Sequence, residues 1–345
     1  MADVGTGMRP DCVLVGSFGG PEGPEDVLPF LEHVVAGRGV PRSRLETVAS
    51  QYRLFGGRSP LNDHNRALVA ALSEVLDLPV AWGNRHWRPF LADAVAELAA
   101  DGHRHALFFT TSAYAGPSSC RAYRLALDEA RAAVGPEAPL VTKLPHYWDR
   151  PGFLGPLADG LAVALAGLPA GSAVAFSAHS IPRAQAEVPQ VGGGYVGQLA
   201  EASRRLAAAV GAERWDVVYQ SRSGPPTEPW LEPDVNDHLR RLAADGVPGV
   251  AVCPVGFTSD HMEVLYDLDT QAQATAAELG LAFRRSPTPG ADPRFVAMVA
   301  DLVGEAAAAG AEPDTIPACR PGCCEVASEG PARAHPVPGE EPEGG

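Results

Sequence analysis

The sequence predicts an α/β protein built from two similar halves, each a parallel sheet flanked by helices. Its 345 residues exceed what one hydrophobic core usually holds, so two domains are expected. Short β-rich runs alternate with Ala- and Leu-rich helical stretches, which is the pattern of a parallel sheet with crossover helices. The alternation begins again after residue 147, which divides the chain into two halves.

Each half has its own series of elements. In the first half the pattern predicts strands over residues 12–18, 79–82 and 106–111 and a helix over 90–100. In the second half it predicts strands over 173–177, 215–220 and 250–254 and helices over 155–165, 196–210, 233–245 and 262–279. The uncharged stretch 160–178 approaches membrane-spanning length, but Pro169 and Gly171 interrupt it, so a helix, a turn and a strand are expected there.

Composition and charge exclude several classes of protein. Apolar residues make up 46% of the chain and charged residues 20%, which excludes a disordered or fibrous protein. A net charge of −15 argues against nucleic acid or an anionic membrane as a partner, so any anionic ligand must be bound by a few local Arg residues. The N-terminal residues contain no apolar targeting core and no stretch predicts a transmembrane segment, so a cytoplasmic location is expected.

The residues that follow each strand are the candidates for chemistry, because ligands of open α/β sheets bind beyond the carboxyl ends of the strands. His179 follows the run 173–177 and lies between Ser177 and Ser180. A neutral imidazole there could act as a base or a metal ligand, since histidine titrates near neutral pH. A structural histidine bonded to a neighbouring carbonyl is the equal alternative.

A second candidate group lies after the strand 250–254. With Asp260 as N-cap, Glu263 falls at the third helical position, which is the arrangement of a capping box. Asp267 follows one turn later on the same side, and His261 is close by. Carboxylates stacked on one side of an isolated helix destabilise it. Binding of a cation therefore explains the arrangement better than a role in capping the helix alone.

Two glycine-containing segments are candidate ligand loops. The Gly19-Gly20-Pro21 turn matches neither the dinucleotide nor the P-loop spacing, so no nucleotide site is expected. Arg38, between Gly37 and Gly39, could bind a carboxylate with two parallel hydrogen bonds, or could simply be solvated.

Three cysteines crowd one short segment near the C-terminus. Cys319, Cys323 and Cys324 form a C-x3-C-C cluster, which in a reducing cytosol indicates a metal site more than a disulfide framework. Such a site needs a fourth ligand, and Cys120, in a polar loop after a strand, is the best donor. A tail with incidental cysteines is the alternative. Cys12 and Cys253 are predicted to be core thiols.

Taken together, these segments resemble the ferrochelatase family over about residues 11–310. The similarity rests on five ordered motifs: SFGGP at 17–21, FGGRSPLN at 55–62, SAHSIP at 177–182, YQSR at 219–222 and GFTSDHMEVLYDLD at 256–269. The amino-acid sequence around residues 84–85 and 230–237 resembles the actinobacterial branch of the family. Members of that branch are coproporphyrin III ferrochelatases, which belong to the coproporphyrin-dependent route to haem.

The resemblance implies two Rossmann-like, chelatase-type domains with a porphyrin cleft between or beside them. It implies insertion of Fe²⁺ with release of two protons. By motif, His179 is the pyrrole-proton acceptor and an Fe²⁺ ligand, and Glu263 is a second Fe²⁺ ligand facing it across the pocket. Asp267 and His261 are expected to continue the row of polar residues that His179 and Glu263 begin, and to form a route for iron or protons. These residue types suit the chemistry, because iron enters only after two pyrrole protons leave.

The resemblance also implies a porphyrin site and a cluster. Tyr52, Ser59 and Tyr123 are expected near the porphyrin propionates, with Arg38 added there, while Phe18, Tyr52 and Trp230 are expected against the ring faces. Phe18 stands where some relatives have Tyr, so that position offers no axial oxygen. Many family members carry a [2Fe-2S] cluster, for which Cys120, Cys319, Cys323 and Cys324 are the expected ligands, in a structural or sensory role.

The element pattern and the family resemblance together predict the domain organisation of the chain. The domains are 11–146 and 147–290, with a helix at 291–311 packing back on the first domain, a cysteine segment at 312–324 and a disordered tail at 325–345. The expected partners are coproporphyrin III, ferrous iron and, transiently, haem-pathway enzymes. The open alternatives are a protoporphyrin IX ferrochelatase, a cobalt chelatase acting on another tetrapyrrole, and a non-catalytic haem carrier or iron–sulfur sensor.

Overall fold

The chain contains two four-stranded parallel sheets in the computed structural model, which describes residues 8–187, 191–224 and 227–310. The first sheet has the order β2-β1-β3-β4, with β1 Cys12–Ser17, β2 Val80–Asn84, β3 His105–Thr110 and β4 Leu140–Lys143. The second has the order β6-β5-β7-β8, with β5 Ala173–His179, β6 Trp215–Gln220, β7 Gly249–Cys253 and β8 Ala282–Arg285. The predicted α/β class with two similar sheets is confirmed. The predicted cysteine segment and tail lie outside the described residues.

Helices flank both sheets. They are α1 Val27–Val34, α2 Arg42–Arg53, α3 Leu61–Val75, α4 Leu91–Ala100, α5 Ala122–Val134, α6 Pro151–Ala166, α7 Arg183–Ala186, α8 Gly194–Val210, α9 Val235–Ala244, α10 Met262–Val264, α11 Gln273–Glu278 and α12 Pro293–Ala308. Two π-helical segments, Pro117–Arg121 and Leu265–Ala272, lead into α5 and α11. Within the described part of the chain, no helix is long and apolar enough to cross a membrane.

The central strands are buried because helices cover both faces of each sheet. Every residue of β1 and β3 is buried, as expected for inner strands of a parallel sheet. The registers Ser17↔Asn84 and His179↔Gln220 align the carboxyl ends of neighbouring strands. Each sheet therefore presents a row of strand ends to its ligand-binding edge.

The two halves share a continuous core. Val15 of the first sheet and Phe176 of the second belong to one buried cluster, together with Phe153 of α6 and Phe295 of α12. Helix α12 packs against both α6 and α3. Two hydrogen bonds join the strand ends of the halves, from the Tyr114 hydroxyl to the Val255 carbonyl (2.9 Å) and from Thr258 Oγ1 to the Thr111 carbonyl (3.1 Å). These contacts fix one ligand-binding edge relative to the other.

The structure differs from the predicted elements in several places, and helix α5 was not predicted. The edge strands β4 and β8 were not predicted, because each has only four residues and little apolar pattern. Strand β5 continues through His179 rather than ending at 177. The predicted single helix 262–279 is divided into α10, a π-helix and α11. The predicted break of the uncharged stretch is confirmed, since α6 ends at Ala166 and β5 begins at Ala173.

Candidate active site

His179 is the last residue of β5, and its two ring nitrogens have different surroundings. Nδ1 is hydrogen-bonded to the carbonyl oxygen of Ser180. A carbonyl only accepts, so Nδ1 carries the proton, and a neutral ring has its lone pair on Nε2. Nε2 lies 3.4 Å from Glu263 Oε2, and the side chain is 32% exposed. His179 is therefore both bonded to a neighbouring carbonyl and available as a base.

Glu263 lies beside His179 and not across a slot from it, which corrects the expected arrangement. The 3.4 Å between Nε2 and Oε2 leaves no room for a flat ring, because two atoms on opposite faces of a ring are about 7 Å apart, twice the usual carbon contact. The two side chains belong to one wall, and Glu263 is 51% exposed on it. A ligand must approach this pair from the open side.

The start of α10 is capped by His261 and not by Asp260, so the expected capping box is absent from it. His261 Nδ1 accepts a hydrogen bond from the backbone N–H of Glu263 (3.2 Å). Burial lowers the pKa of His261, so the ring stays neutral, with its remaining proton on Nε2. Its ring packs against Phe257 at 5.0 Å. His261 thus fixes the backbone from which Glu263 projects.

Residues of strands β5 and β6 also support the backbone of Glu263. Ser177 donates a hydrogen bond to Gln220 Oε1 (2.6 Å), and Gln220 Nε2 donates to the carbonyl oxygen of Glu263 (3.4 Å). Ser177 and Gln220 are both buried, so the connection is shielded from water. The strand that carries His179 is thereby linked to the helix that carries Glu263.

Asp267 is a third ionisable group on this wall. Burial, together with the negative charge of Glu263, raises the pKa of Asp267 to about 7. The Ser221 hydroxyl donates a short hydrogen bond to Asp267 Oδ2, which opposes that rise. A carboxyl group with a pKa raised toward neutrality is suited to take up and release protons.

The first half contributes an aromatic group that reaches this wall. The Phe18 ring lies 4.5 Å from His86 and 6.3 Å from Phe30, and Phe30 lies 6.2 Å from Tyr52. Phe18 is 42% exposed, whereas Tyr52 is buried in a cluster that includes Met262. Burial raises the pKa of Tyr52, and the charge of Glu263 adds to the rise. A series of aromatic rings thus extends from the end of β1 toward Glu263. Its members are Phe18, Phe30 and Tyr52.

Trp230 does not offer a ring face to a ligand. Its indole is buried, and a Cβ built at Gly224 would meet the indole at 2.4 Å. Of the three aromatic residues expected against the porphyrin, Phe18 is the one with an exposed ring.

Three of the four residues expected near the propionates, Ser59, Tyr123 and Arg38, belong to the first half, on segments near the ligand-binding edge of its sheet, whereas Tyr52 lies in the cluster with Met262. Ser59 is buried beneath Gly20, and Arg38 is exposed on its glycine turn. Tyr123 is buried, and the Arg85 guanidinium covers its ring at 5.2 Å. Burial lowers the pKa of Arg85, and the positive charge of Arg38 lowers it further. The positive charge of Arg38 therefore acts on Arg85, the residue that follows β2.

Sequence reasoning assigned no role to Arg85 or Ser221. Both directly follow a strand of the structure, Arg85 after β2 and Ser221 after β6. Ser221 has φ of 61°, the one left-handed non-glycine residue among those described. Position after a strand is the signal in the sequence that could identify both residues. No ion pair joins the Arg85 guanidinium within the described ranges.

Cys120 is the one member of the expected cluster set that the described residues include. It is buried in the π-helical turn before α5, and its Sγ lies 3.1 Å from His146 Nε2. The charge of Lys143 acts on the same histidine. Cys319, Cys323 and Cys324 lie outside the described residues. Cys12 and Cys253 are fully buried, which confirms them as core thiols, and burial raises the pKa of each to about 12.

The chain is similar to known proteins in sequence and in fold. The family model described as ferrochelatase matches residues 10–307. A coproporphyrin III ferrochelatase of Streptomyces griseus is 49% identical, over 94% of this chain and 96% of its own length. One of Nocardia farcinica is 51% identical, over 92% of this chain and 97% of its own.

Among solved structures, SirB from Bacillus subtilis with Fe³⁺ has a TM-score of 0.54 and 9% identity, covering 87% of this chain and 96% of SirB. That similarity concerns the fold alone. The two parallel sheets and the imidazole–carboxylate pair at one sheet's edge define an α/β protein of the chelatase type. The chain belongs to the ferrochelatase family.

Proposed function

We propose that this protein inserts Fe²⁺ into coproporphyrin III and releases two protons for each iron inserted. The observation that carries the proposal is the contact between His179 Nε2 and Glu263 Oε2, both exposed on one wall. The names of relatives about half identical over nearly the whole chain support coproporphyrin III as the substrate.

In the proposed reaction His179 accepts a pyrrole proton. Its Nδ1–H is committed to Ser180, so the Nε2 lone pair is the basic site. The Glu263 carboxylate attracts the ferrous ion and keeps it close to the porphyrin nitrogens as they lose their protons. Asp267, with a pKa raised to about 7, receives protons from this pair and passes them to solvent. His261 holds the Glu263 backbone in place.

The cations at the first sheet are proposed to bind propionates. Arg85 and Arg38 carry neighbouring positive charges, and an anion between them would offset their repulsion. Ser59 and Tyr123 add hydroxyl groups near the same edge, and the exposed Phe18 ring provides an apolar contact for the macrocycle. Coproporphyrin has four propionates and protoporphyrin two, so additional cations favour coproporphyrin.

We also propose a [2Fe-2S] cluster held by Cys120, Cys319, Cys323 and Cys324. Cys120 is the proposed internal ligand, since its Sγ lies 3.1 Å from His146 Nε2 in a polar setting where the positive charge of Lys143 acts on the same histidine. No step of metal insertion passes through this group. The buried thiols Cys12 and Cys253, which form no disulfide, suit a reducing cytoplasm as the proposed location. Haem-pathway enzymes are the proposed transient partners.

Initial rates of anaerobic iron insertion into coproporphyrin III and protoporphyrin IX test the assignment. The purified full chain is expected to give the higher kcat/KM with coproporphyrin III. A preference for protoporphyrin IX, or for Co²⁺ with another tetrapyrrole, would replace the substrate assignment. If the protein binds haem tightly but inserts no metal, the assignment as an enzyme is wrong and the protein is a haem carrier.

A further inference from the structure

Arg285 is the last residue of the edge strand β8, and its side chain is only 15% exposed. It donates to Asp269 through Nε (2.6 Å) and Nη2 (2.9 Å). It donates to Asp260 through Nη1 (3.2 Å) and Nη2 (3.0 Å), and Nη1 also reaches the Ser286 carbonyl (3.3 Å). These five contacts match the five N–H donors of a guanidinium.

The two carboxylates bracket the segment that carries the reactive groups. Asp260 precedes His261 and Glu263, and Asp269 follows Asp267. Asp260 Oδ1 also accepts a hydrogen bond from Thr288 (3.0 Å). Every oxygen of the two aspartates therefore accepts at least one hydrogen bond, and Arg285 is a donor to each of the four.

The bracketed segment needs such support. Helix α10 is a single short turn, and Leu265–Ala272 is π-helical, a conformation that is rare and usually found at functional sites. Its position decides where the Glu263 carboxylate lies relative to His179. We infer that Arg285 is a positioning residue for iron insertion, which clamps both ends of the 260–269 segment and so holds Glu263 and Asp267 in place beside His179.

This inference rests on the proposed function for its kinetic consequence, but not for its structural one. Because the clamp acts on the iron-binding side chains and not on the Arg85 edge, its loss must affect iron more than porphyrin. Removal of a group that orients a metal ligand typically weakens metal affinity by about 10- to 100-fold. An Arg285→Lys variant keeps the charge but lacks the planar five-donor fork that bonds both carboxylates bidentately.

The experiment compares Arg285→Met and Arg285→Lys with Arg294→Met in the full chain. Arg294 is a matched control, because it also bonds two aspartates, Asp159 and Asp292, but lies on α12 away from the site. Hydrogen exchange of residues 260–272 and the apparent KM values for Fe²⁺ and coproporphyrin III are measured. Both Arg285 variants are expected to speed exchange in that segment alone and to raise the KM for Fe²⁺ by about tenfold or more.

The porphyrin KM is expected to stay at its wild-type value in the Arg285 variants, and Arg294→Met should change neither readout. Unchanged exchange across 260–272, faster exchange throughout the chain, or equal rises in both KM values would overturn the inference. If the wild-type chain metallates no porphyrin, the proposed function fails, while the exchange data still decide whether Arg285 clamps the segment.

Discussion

The Ser221 hydroxyl donates a hydrogen bond to Asp267, although the two residues come from different elements of the second half. Ser221 follows β6 in a left-handed conformation, and Asp267 belongs to the π-helix after β7. The bond stabilises the ionised carboxylate, while burial and the charge of Glu263 favour the protonated form. The balance leaves the pKa of Asp267 at about 7, where protons released by metal insertion can be exchanged.

Asp267→Asn should change the pH dependence of stability in a defined direction. The folded pKa, about 7, exceeds the ordinary value of 3.8, so the folded wild type binds its proton more tightly and loses stability as pH rises between those values. The asparagine variant has no charge to bury. Its melting temperature relative to wild type should therefore increase from pH 4 to pH 7 and then level off, as measured by calorimetry.

Asp63→Asn is the control of opposite sign. The Arg58 guanidinium lowers the pKa of Asp63, so that contribution is present above the unfolded pKa and is lost on acidification. The Asp63→Asn variant should therefore be closest to wild type at low pH. If Asp267→Asn shows the same trend as Asp63→Asn, the raised pKa of Asp267 is wrong.

Replacement of Ser221 should move the same titration. Ser221→Ala removes the hydroxyl that favours the ionised carboxylate, so the pKa of Asp267 should rise above its wild-type value. Ser221→Gly should raise that pKa equally and melt at a higher temperature than Ser221→Ala, because glycine adopts φ of 61° without strain. Infrared titration of the carboxyl band measures the pKa. An unchanged titration in both variants would show that the hydroxyl contributes nothing.

Arg85→Met should weaken porphyrin binding and leave iron use unchanged. A hydrogen bond to a charged group is worth roughly 1.5–3 kcal/mol, so the KM for coproporphyrin III should rise by about tenfold or more. Arg66→Met is the control, since Arg66 also lies over an aromatic ring, that of Trp82 at 5.7 Å, but pairs with Glu22 and Asp63. Steady-state rates with each substrate varied in turn separate the two effects. Equal KM values in wild type and Arg85→Met would remove Arg85 from the porphyrin site.

Cys120→Ser should abolish the proposed cluster. The visible absorption bands of a [2Fe-2S] protein are expected in the anaerobically purified wild type and should disappear in this variant. Cys12→Ser is the matched control, because Cys12 is also a buried thiol but lies in β1. Bands that survive in Cys120→Ser, or their absence from the wild type, would contradict the ligand set.

The sequence was sufficient to identify candidate residues that follow predicted strands. It was insufficient to predict contacts between residues that are far apart in the chain. His179 and Glu263 were found because each follows a predicted strand, a position that sequence pattern can locate. That they touch on one wall was not predictable, since it depends on how β5 and the segment after β7 are brought together. The same holds for the pKa of Asp267, which depends on burial by other elements.

Arg285 shows a second kind of limit. It ends a four-residue edge strand that was not predicted, and its partners Asp260 and Asp269 precede it by 25 and 16 residues. Nothing in the local pattern separates it from the adjacent Arg284. Its role became visible only when the fold placed its guanidinium between the two carboxylates.

The central claim is that His179 and Glu263 act together in iron insertion, and a single-turnover measurement tests it most directly. Coproporphyrin III bound to wild type, His179→Ala, Glu263→Gln or the double variant is mixed anaerobically with Fe²⁺, and metallation is followed by absorbance. Each single variant should lose at least about 100-fold in rate, and the double variant should be little slower than the singles, because groups that act as a unit are not additive. A single variant that binds porphyrin and inserts iron at the wild-type rate would contradict the account.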